Sequence, residues 1–465
     1  MCRRPLSEAS DQIISNWFDQ CGIELGPLLT DISMINTVKR LLFTYQDLNA
    51  TELRHIQATD LYMHRVRLKP GTPSWKSSRK KQLTPNQSYW LQKILNEGIA
   101  CGMYERTITA NGTLSDWSAE AVVVLKPGEP EGGEMRITFN YRNVHEVMPG
   151  TFLQLTSEVH DYLSDPRHGC FMQYDIKHAY WSLAVHPDDR HFFAFYVDGI
   201  GQLQPTRMPQ GSQSAGFSMN ELMYIALGYI PPLPDGTGEE PSLLASTSPD
   251  RLSPAKHYFD DVFGGHTDAA EALDFLQNHF LPRMDWAQLK LSFKKLKLFQ
   301  SEILALGVTH LIHGVVKTKE ARTDKIKHFP TPRDLHDIKS FLGTISITRR
   351  WIANFSEISK PLLLLCHKDQ RFTWGLQQEV SFELLRDKCS SVVESYGFDF
   401  SKPAQLYSDA SGFGGSCCIT QMRLNPLPPE GASNKSLTQL IEVPICQVHP
   451  EIGRASCRER VCYAV

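Results

Sequence analysis

Lys256 to Asp268 reads KHYFDDVFGGHTD: two adjacent carboxylates, Asp260 and Asp261, sit between the apolar pairs Tyr258-Phe259 and Val262-Phe263, and two glycines follow. β-Favouring residues on both sides of a polar pair predict a strand, a tight turn and a returning strand. Such a hairpin carries both acids at its tip, where like charges repel, although Asn-Gly or Asp-Gly would make the turn at lower cost. A cation shared by the two acids is one remedy, and a solvated turn is the plain alternative. The choice between them has to come from the rest of the chain.

The chain of 465 residues is long enough for roughly three domains, and 41% hydrophobic residues support ordinary packed cores. A net charge of -3 excludes a globally basic nucleic-acid binder, so any such surface must be local. One local tract fits: Leu61 to Lys81 carries Arg65, Arg67, Lys69, Lys76, Arg79, Lys80 and Lys81 with no acid among them. The eleven cysteines form no CxxC pair, which suggests reduced thiols in a cytosolic setting. The N-terminal stretch lacks an apolar signal core, and runs such as KPLLLLC are too short to span a bilayer, so neither secretion nor a membrane partner is expected.

Helical periodicity opens the chain, with Ile13, Ile14, Trp17 and Phe18, then Ile35, Val38, Leu41 and Leu42. LTPNQSYWLQKILNEGI, from Leu83, supplies a cap, a proline in the first turn and apolar Trp90, Leu91, Ile94 and Leu95, followed by Gly98. Ala121 to Leu125 and Arg136 to Tyr141 read as a hairpin with a basic residue on each arm, and GCFMQYD as a strand ending near Asp175. Residues 231–254, rich in Pro, Ser and Gly, read as a mobile surface loop. A helix capped by Thr267, burying Leu273, Phe275, Leu276 and Phe280, should follow the carboxylate hairpin. Basic strands then precede helices from Arg333 to Cys389, and AQLYSDASGFGGSCCITQ returns to strand character.

Asp175 ends one strand while Asp260 and Asp261 sit on a hairpin, so three carboxylates could meet. Such a set can hold two Mg2+ ions, one activating a hydroxyl and the other neutralising a triphosphate and its departing pyrophosphate. Nucleotidyl transfer fits this chemistry, and a nuclease or a cyclase fits the carboxylate count equally well.

Taken in order, VVVLKP, MRITFNYRNV, YDIKHAYWSL, RMPQGSQSAGFSMNELM, HYFDDVF, LKLSFKKLKLF and LALGV resemble the successive motifs of reverse transcriptases from gypsy-type long-terminal-repeat retrotransposons. The likeness begins near HRVRLKPGTP, continues through IKSFLGTISITRRWIANFSEISKPLLLL, and reaches LYSDASGFGGSCCITQ, which is similar to the opening of a ribonuclease H domain. The resemblance implies an α+β right-hand polymerase of fingers, palm and thumb with a truncated ribonuclease H-like α/β start. Its expected divisions are a helical leader 1–60, fingers 61–167, palm 168–315, thumb and connection helices 316–395, a ribonuclease H-like start 396–450, and a non-native tail 451–465 resembling translated adaptor sequence.

The same resemblance implies roles by position. Asp175, Asp260 and Asp261 would be the metal carboxylates of a Tyr-x-Asp-Asp palm, with the Ile176 carbonyl adding to the second ion; the ions would be Mg2+, with Mn2+ as a substitute. Tyr180 would crowd the 2′-hydroxyl of an incoming ribonucleotide, Gln210 and Gly211 would lie against the nascent base pair, and Lys126 and Arg136 would grip the triphosphate. Lys295 would help protonate pyrophosphate, with Lys294 as its rival. The implied partners are an RNA template, a DNA or tRNA primer, an RNA–DNA hybrid and dNTPs, in cytoplasmic virus-like particles.

Three departures stand out: Asn140 in place of Asp in VDYR, the long 231–254 loop, and MPQGSQSAG where MPFGLxNAP is commoner. Asp409 matches the first metal ligand of ribonuclease H without its downstream partners, so no ribonuclease H activity is expected of this chain. A catalytically silent retroelement remnant that binds nucleic acid or protein is the alternative reading, and an RNA-dependent RNA polymerase is a third.

Overall fold

The strand Cys170–Asp175 buries Cys170, Phe171, Met172 and Tyr174 completely, because residues on both of its faces are apolar. It is the middle strand of a five-stranded sheet in the order Glu24–Leu25, Lys297–Gln300, Cys170–Asp175, Asp261–His266, Ala255–Tyr258. In this computed structural model the described residues are 3–77, 82–126, 128–147, 155–248, 251–318, 320–352, 355–367, 370–391, 394–399, 401–411, 414–424 and 440–448. They fall into two compact units, Met1–Val159 with Cys170–Gln300, and His160–Gly169 with Ser301–Val465.

In the first unit the helical N-terminal residues join the central sheet and its core. Glu24 and Leu25 pair in parallel with Lys297 and Leu298, and Gly26 donates to the Leu298 carbonyl at 2.7 Å. A Cβ on Gly26 would lie 2.1 Å from the Phe299 carbonyl oxygen, so only glycine lets the chain approach this closely. Phe18, Val38, Leu41 and Leu42, from helices Asp11–Cys21 and Ile32–Thr44, enter the same core as Met172 and Tyr174. The unit ends at Gln300, and the strands from Glu302 onward belong to the second.

Helix Ala215–Leu227 buries Met219, Leu222, Met223 and Ala226 in that core. After the hairpin, helix Ala269–Phe275 runs through a π-turn, Leu276–Phe280, into Leu281–Trp286, and stacks Phe280 on Tyr174 with centroids 3.7 Å apart. Its cap is Asp268, which accepts from the Glu271 amide, and not Thr267; the Glu271 carboxylate instead accepts from the Thr267 amide and hydroxyl. Leu273 is only partly buried.

A second core of this unit gathers helix Pro85–Ala100, the hairpin Glu120–Leu125/Met135–Asn140 and the small sheet Tyr104–Arg106, Gly201–Pro205, Phe195–Val197. Helix Pro85–Ala100 continues past Gly98, where a Cβ would sit 2.6 Å from the Tyr104 ring, so glycine there makes room for that ring. Lys126 lies one residue beyond its strand, its amide bonded to the Glu134 carbonyl at 3.0 Å.

Most described residues of the segment 231–248 are exposed, as on a surface loop, and the segment is anchored at a few points. Ile230 and Glu240 exchange backbone hydrogen bonds of 3.0 Å, and buried Leu243 bonds Leu227 and Ala255. Fully buried Arg283 donates to the carbonyls of Ala226 (3.2 Å), Gly228 (2.6 Å) and Pro241. An uncharged residue cannot satisfy three carbonyls at once.

In the second unit, strands Glu302–Ala305, Val308–Leu311, Val315–Thr318 and Glu394–Tyr396 form one antiparallel sheet. Helices Glu320–Lys327, Leu335–Ile345, Phe355–Leu364 and Leu376–Ser391 close around Phe341, Phe382 and Leu385. Strands Ala404–Ser411, Gly414–Leu424 and Leu440–Val448 form a three-stranded antiparallel sheet with Asp409 opposite Ser416. The Asp409 side chain and residues 449–465 lie outside the described residues. No helix among the described residues is long and apolar enough to cross a membrane.

Arg283→Met should cost about 3 kcal/mol in urea unfolding, since it strands three buried acceptors. Proteolysis of the folded protein should then begin within residues 231–254.

Candidate active site

Strand register builds the site. Asp261 lies opposite Asp175 on one side and opposite Tyr258 on the other, leaving Phe259 and Asp260 as the two-residue turn. Phe259 takes a left-handed φ of 53°, a conformation that costs an aromatic residue on the order of 1–2 kcal/mol. Next to the hairpin, the Ile176 amide donates to the Asp260 carbonyl at 3.4 Å, the Ser292 amide to the Asp175 carbonyl at 3.1 Å, and the Lys177 amide to the Lys290 carbonyl at 2.8 Å. These bonds stitch the turn Phe293–Lys295 to the strand end, and Lys295 Nζ reaches Asp175 Oδ2 at 3.1 Å while remaining 63% exposed. Lys294, also exposed, runs past Gly22 instead. Of the two rivals, Lys295 is the one at the carboxylates.

Burial is the main cause that pushes the Asp261 carboxyl up to about 6, with repulsion from Asp260 and Asp175 adding to it and Lys295 opposing. Asp260 is raised for the same first reason, and Asp175 contributes again. The cluster is therefore under electrostatic stress, which hard cations relieve, and carboxylate oxygens are the donors such cations take. The three acids do not close into a single-ion cage. Among the described residues, the trio whose ligand atoms all lie within 4.8 Å of one another is Asp334, His336 and Asp337, largely exposed at a helix start in the second unit.

His178, at φ 49°, sits among Lys177, Lys126 and Lys295; burial first and these cations second hold its imidazole down at about 4. Lys126 also pairs with Glu134. Tyr180, on the one-turn helix Ala179–Ser182, packs against the core below the carboxylates, and burial, then Asp260, pushes its hydroxyl up to about 12.

The Gln210-Gly211 turn docks on the strand that carries Arg136. The Phe139 amide donates to the Gln210 carbonyl at 3.2 Å, and Gly211 at φ 110° approaches so closely that a Cβ would lie 2.2 Å from the Phe139 oxygen. The Gln210 side chain is exposed. Arg136, opposite Val124, is exposed and makes no ion pair among the described residues. Asn140 Oδ1 accepts from the Arg142 amide at 3.4 Å, a turn contact that an aspartate would make equally well.

Sequence reasoning missed the polar cluster directly behind that turn. Glu146, 1% exposed, accepts from the hydroxyls of Ser212 (2.8 Å) and Ser214 and faces His64 Nε2 at 3.5 Å, while His64 Nδ1 meets Ser218 Oγ at 2.8 Å. The only available signal was a histidine and a glutamate in otherwise ordinary segments, HRVRLKP and NVHEVMPG. The basic tract also differs from its reading: Arg65 forks onto buried Asp189 at 2.7 Å and Lys76 pairs with Asp116 at 3.3 Å, acids supplied from elsewhere in the chain. Arg79, Lys80 and Lys81 lie outside the described residues.

Residues 133–310 match the family described as reverse transcriptase (RNA-dependent DNA polymerase). The chain is 26% identical over 309 residues to the Gag-Pol polyprotein of feline leukemia virus, a match covering 64% of this chain and 17% of that polyprotein. To the Gag-Pol polyprotein of baboon endogenous virus it is 26% identical over 304 residues, covering 63% and 16%. The chain thus spans only a minor part of these relatives. Among solved structures, a foamy viral protease-reverse transcriptase in complex with double-stranded DNA matches 97% of this chain and 70% of its own at a TM-score of 0.69 and 18% identity. Another, in complex with an RNA/DNA hybrid, matches 97% and 54% at 0.66 and 18%. The fold is shared with those solved structures, and residues 133–310 match the reverse transcriptase family within a stretch homologous to retroviral Pol polyproteins.

In chelator, Asp261→Asn should raise the thermal midpoint, by on the order of 1 kcal/mol of stability, because it removes one of three mutually repelling charges. Glu146→Ala should lower stability by about 2 kcal/mol, since it takes the carboxylate acceptor from the buried Ser214 hydroxyl and the half-buried Ser212 hydroxyl and leaves a cavity beside His64. Calorimetry on the purified chain measures both.

Proposed function

We propose that the chain is an RNA- and DNA-templated DNA polymerase of a gypsy-type long-terminal-repeat retrotransposon, transferring a nucleotidyl group from a dNTP to a primer 3′-hydroxyl. The carrying observation is the cross-strand register of Asp175 and Asp261 with Asp260 at the turn and Lys295 on Asp175. The ordered motifs quoted above support the retrotransposon assignment. In this reading the five-stranded sheet is the palm, the hairpin bearing Arg136 belongs to the fingers, and helices between 320 and 391 form the thumb. An RNA template, a DNA or tRNA primer and dNTPs are the substrates and partners.

Asp175, Asp260 and Asp261, with the Ile176 carbonyl, would hold two divalent ions, Mg2+ by the hardness of these oxygen donors. Such ions, when bound, supply activation of the primer hydroxyl and neutralisation of the triphosphate. The chain's own residues do the rest. Arg136, exposed and unpaired among the described residues, donates to phosphate oxygens, and Lys126 exchanges Glu134 for phosphate. Lys295 Nζ, free to leave Asp175, carries a proton that can pass to the departing pyrophosphate oxygen. The Tyr180 ring fills the space a 2′-hydroxyl would need, and the Gln210-Gly211 backbone backs the nascent base pair.

Primer extension on an RNA template with Mg2+ tests the proposal. dNTPs should support extension and rNTPs should not; binding of a hybrid without any extension would favour the silent remnant. Asp260→Asn should reduce extension by on the order of a thousandfold with folding retained. Tyr180→Ala should admit rNTPs while dNTP use changes less. Arg136→Ala should raise KM for dNTP by about tenfold, the loss of a charge-assisted hydrogen bond to phosphate, with template affinity unchanged.

A further inference from the structure

We propose that Phe259 is a positioning residue whose ring, seated on Gly216, locks the carboxylate hairpin to the nucleotide-contacting Gln210-Gly211 turn. The proposal rests on the polymerase reading for the meaning of those two sites.

Two local choices in the chain are individually unfavourable. A two-residue hairpin turn needing φ > 0 takes Asn, Asp or Gly by preference, yet Phe259 occupies it at 53°. The first turn of helix Ala215–Leu227 holds a glycine, Gly216, where most residues would favour the helix more. One contact accounts for both. A Cβ built on Gly216 would lie 2.8 Å from Phe259 Cε1 and 3.6 Å from Cδ1 and Cζ, so the ring occupies the volume that any other residue at 216 would fill. Tyr258 meets the ring edge-on at 4.7 Å between centroids and fixes its other side.

Gly216 follows Gly211 by one short segment, and that segment is itself immobilised: Gly211 against Phe139, and Ser212 and Ser214 on buried Glu146. The connection therefore runs from Asp260 through the Phe259 ring to Gly216, and through the pinned turn to the strand of Arg136. Hairpin and turn belong to different elements that share the core through Met208, Ala215 and Val262, and the Phe259 ring is the direct contact between the turn residue at the carboxylates and the start of the helix after Gly211. Gly216 is also the last position of the MPQGSQSAG departure, proline in the commoner form. An aromatic at the turn and a glycine beneath it compensate each other in size.

The contact is tested without activity, by thermal unfolding of Gly216→Ala, Phe259→Ala and the double variant. Gly216→Ala should lower the midpoint of the wild type, where the methyl displaces the ring, and raise it in the Phe259→Ala background, where only helix preference is left. The same sign in both backgrounds overturns the contact. Positioning is tested by primer extension. In Phe259→Ala the Mg2+ concentration for half-maximal extension and the KM for dNTP should both rise, by about fivefold, and a merely structural contact would lower kcat alone. Unchanged Mg2+ and dNTP dependence in an active variant overturns the positioning role. A wild-type chain that extends no primer overturns the polymerase reading and that role with it, while the sign test still decides the contact.

Discussion

Repulsion among three part-buried carboxylates is the constraint around which the first unit is organised. Asp175 and Asp261 are cross-strand partners and Asp260 is at the adjoining turn, so the backbone ladder holds charges together that would separate if free. Burial first, and repulsion from the neighbouring acids second, raise the Asp261 and Asp260 carboxyls. Holding them needs a rigid frame. The central strand is buried on both faces, Tyr174 is stacked on Phe280, and the segment carrying Lys295 is bonded back onto the strand end.

Rigidity of this kind depends on close backbone approaches. Gly26 against Phe299 and Gly211 against Phe139 each leave no room for a Cβ. The first anchors the N-terminal strand at the sheet edge, and the second fixes the turn beside the strand of Arg136. Both bring distant parts of the chain together with atoms of the backbone, which carry no rotamer freedom and so hold distances that long side chains would not. Buried polar groups do the same where side chains must serve: Glu146 behind the turn and Arg283 under the 231–254 segment.

The match to retroviral Pol polyproteins at 26% identity, and to foamy viral structures at 18%, fits this picture. What the fold requires is a register, a few glycines and a buried strand, and many sequences satisfy those terms. Arg136 and Lys295, by contrast, are exposed, so burial in a core does not dictate their identity.

How much was legible beforehand divides by the range of the interactions. The hairpin around Asp260, the strand ending at Asp175, the amphipathic helices and the motif order are local patterns, set by side-chain periodicity and turn chemistry, and the sequence by itself determined them. Tertiary structure alone decided which lysine reaches Asp175, because Lys294 and Lys295 are neighbours in sequence and only the turn Phe293–Lys295 aims one at the acid. It also decided that residues 24–25 complete the sheet, that Asp268 and not Thr267 caps its helix, and that residues 231–254 are tied to Arg283. Each of these depends on a partner far away in the chain or on a single hydrogen-bond geometry. Neither leaves a periodic trace in sequence, since a contact between distant residues constrains their shape and charge only after the chain has folded.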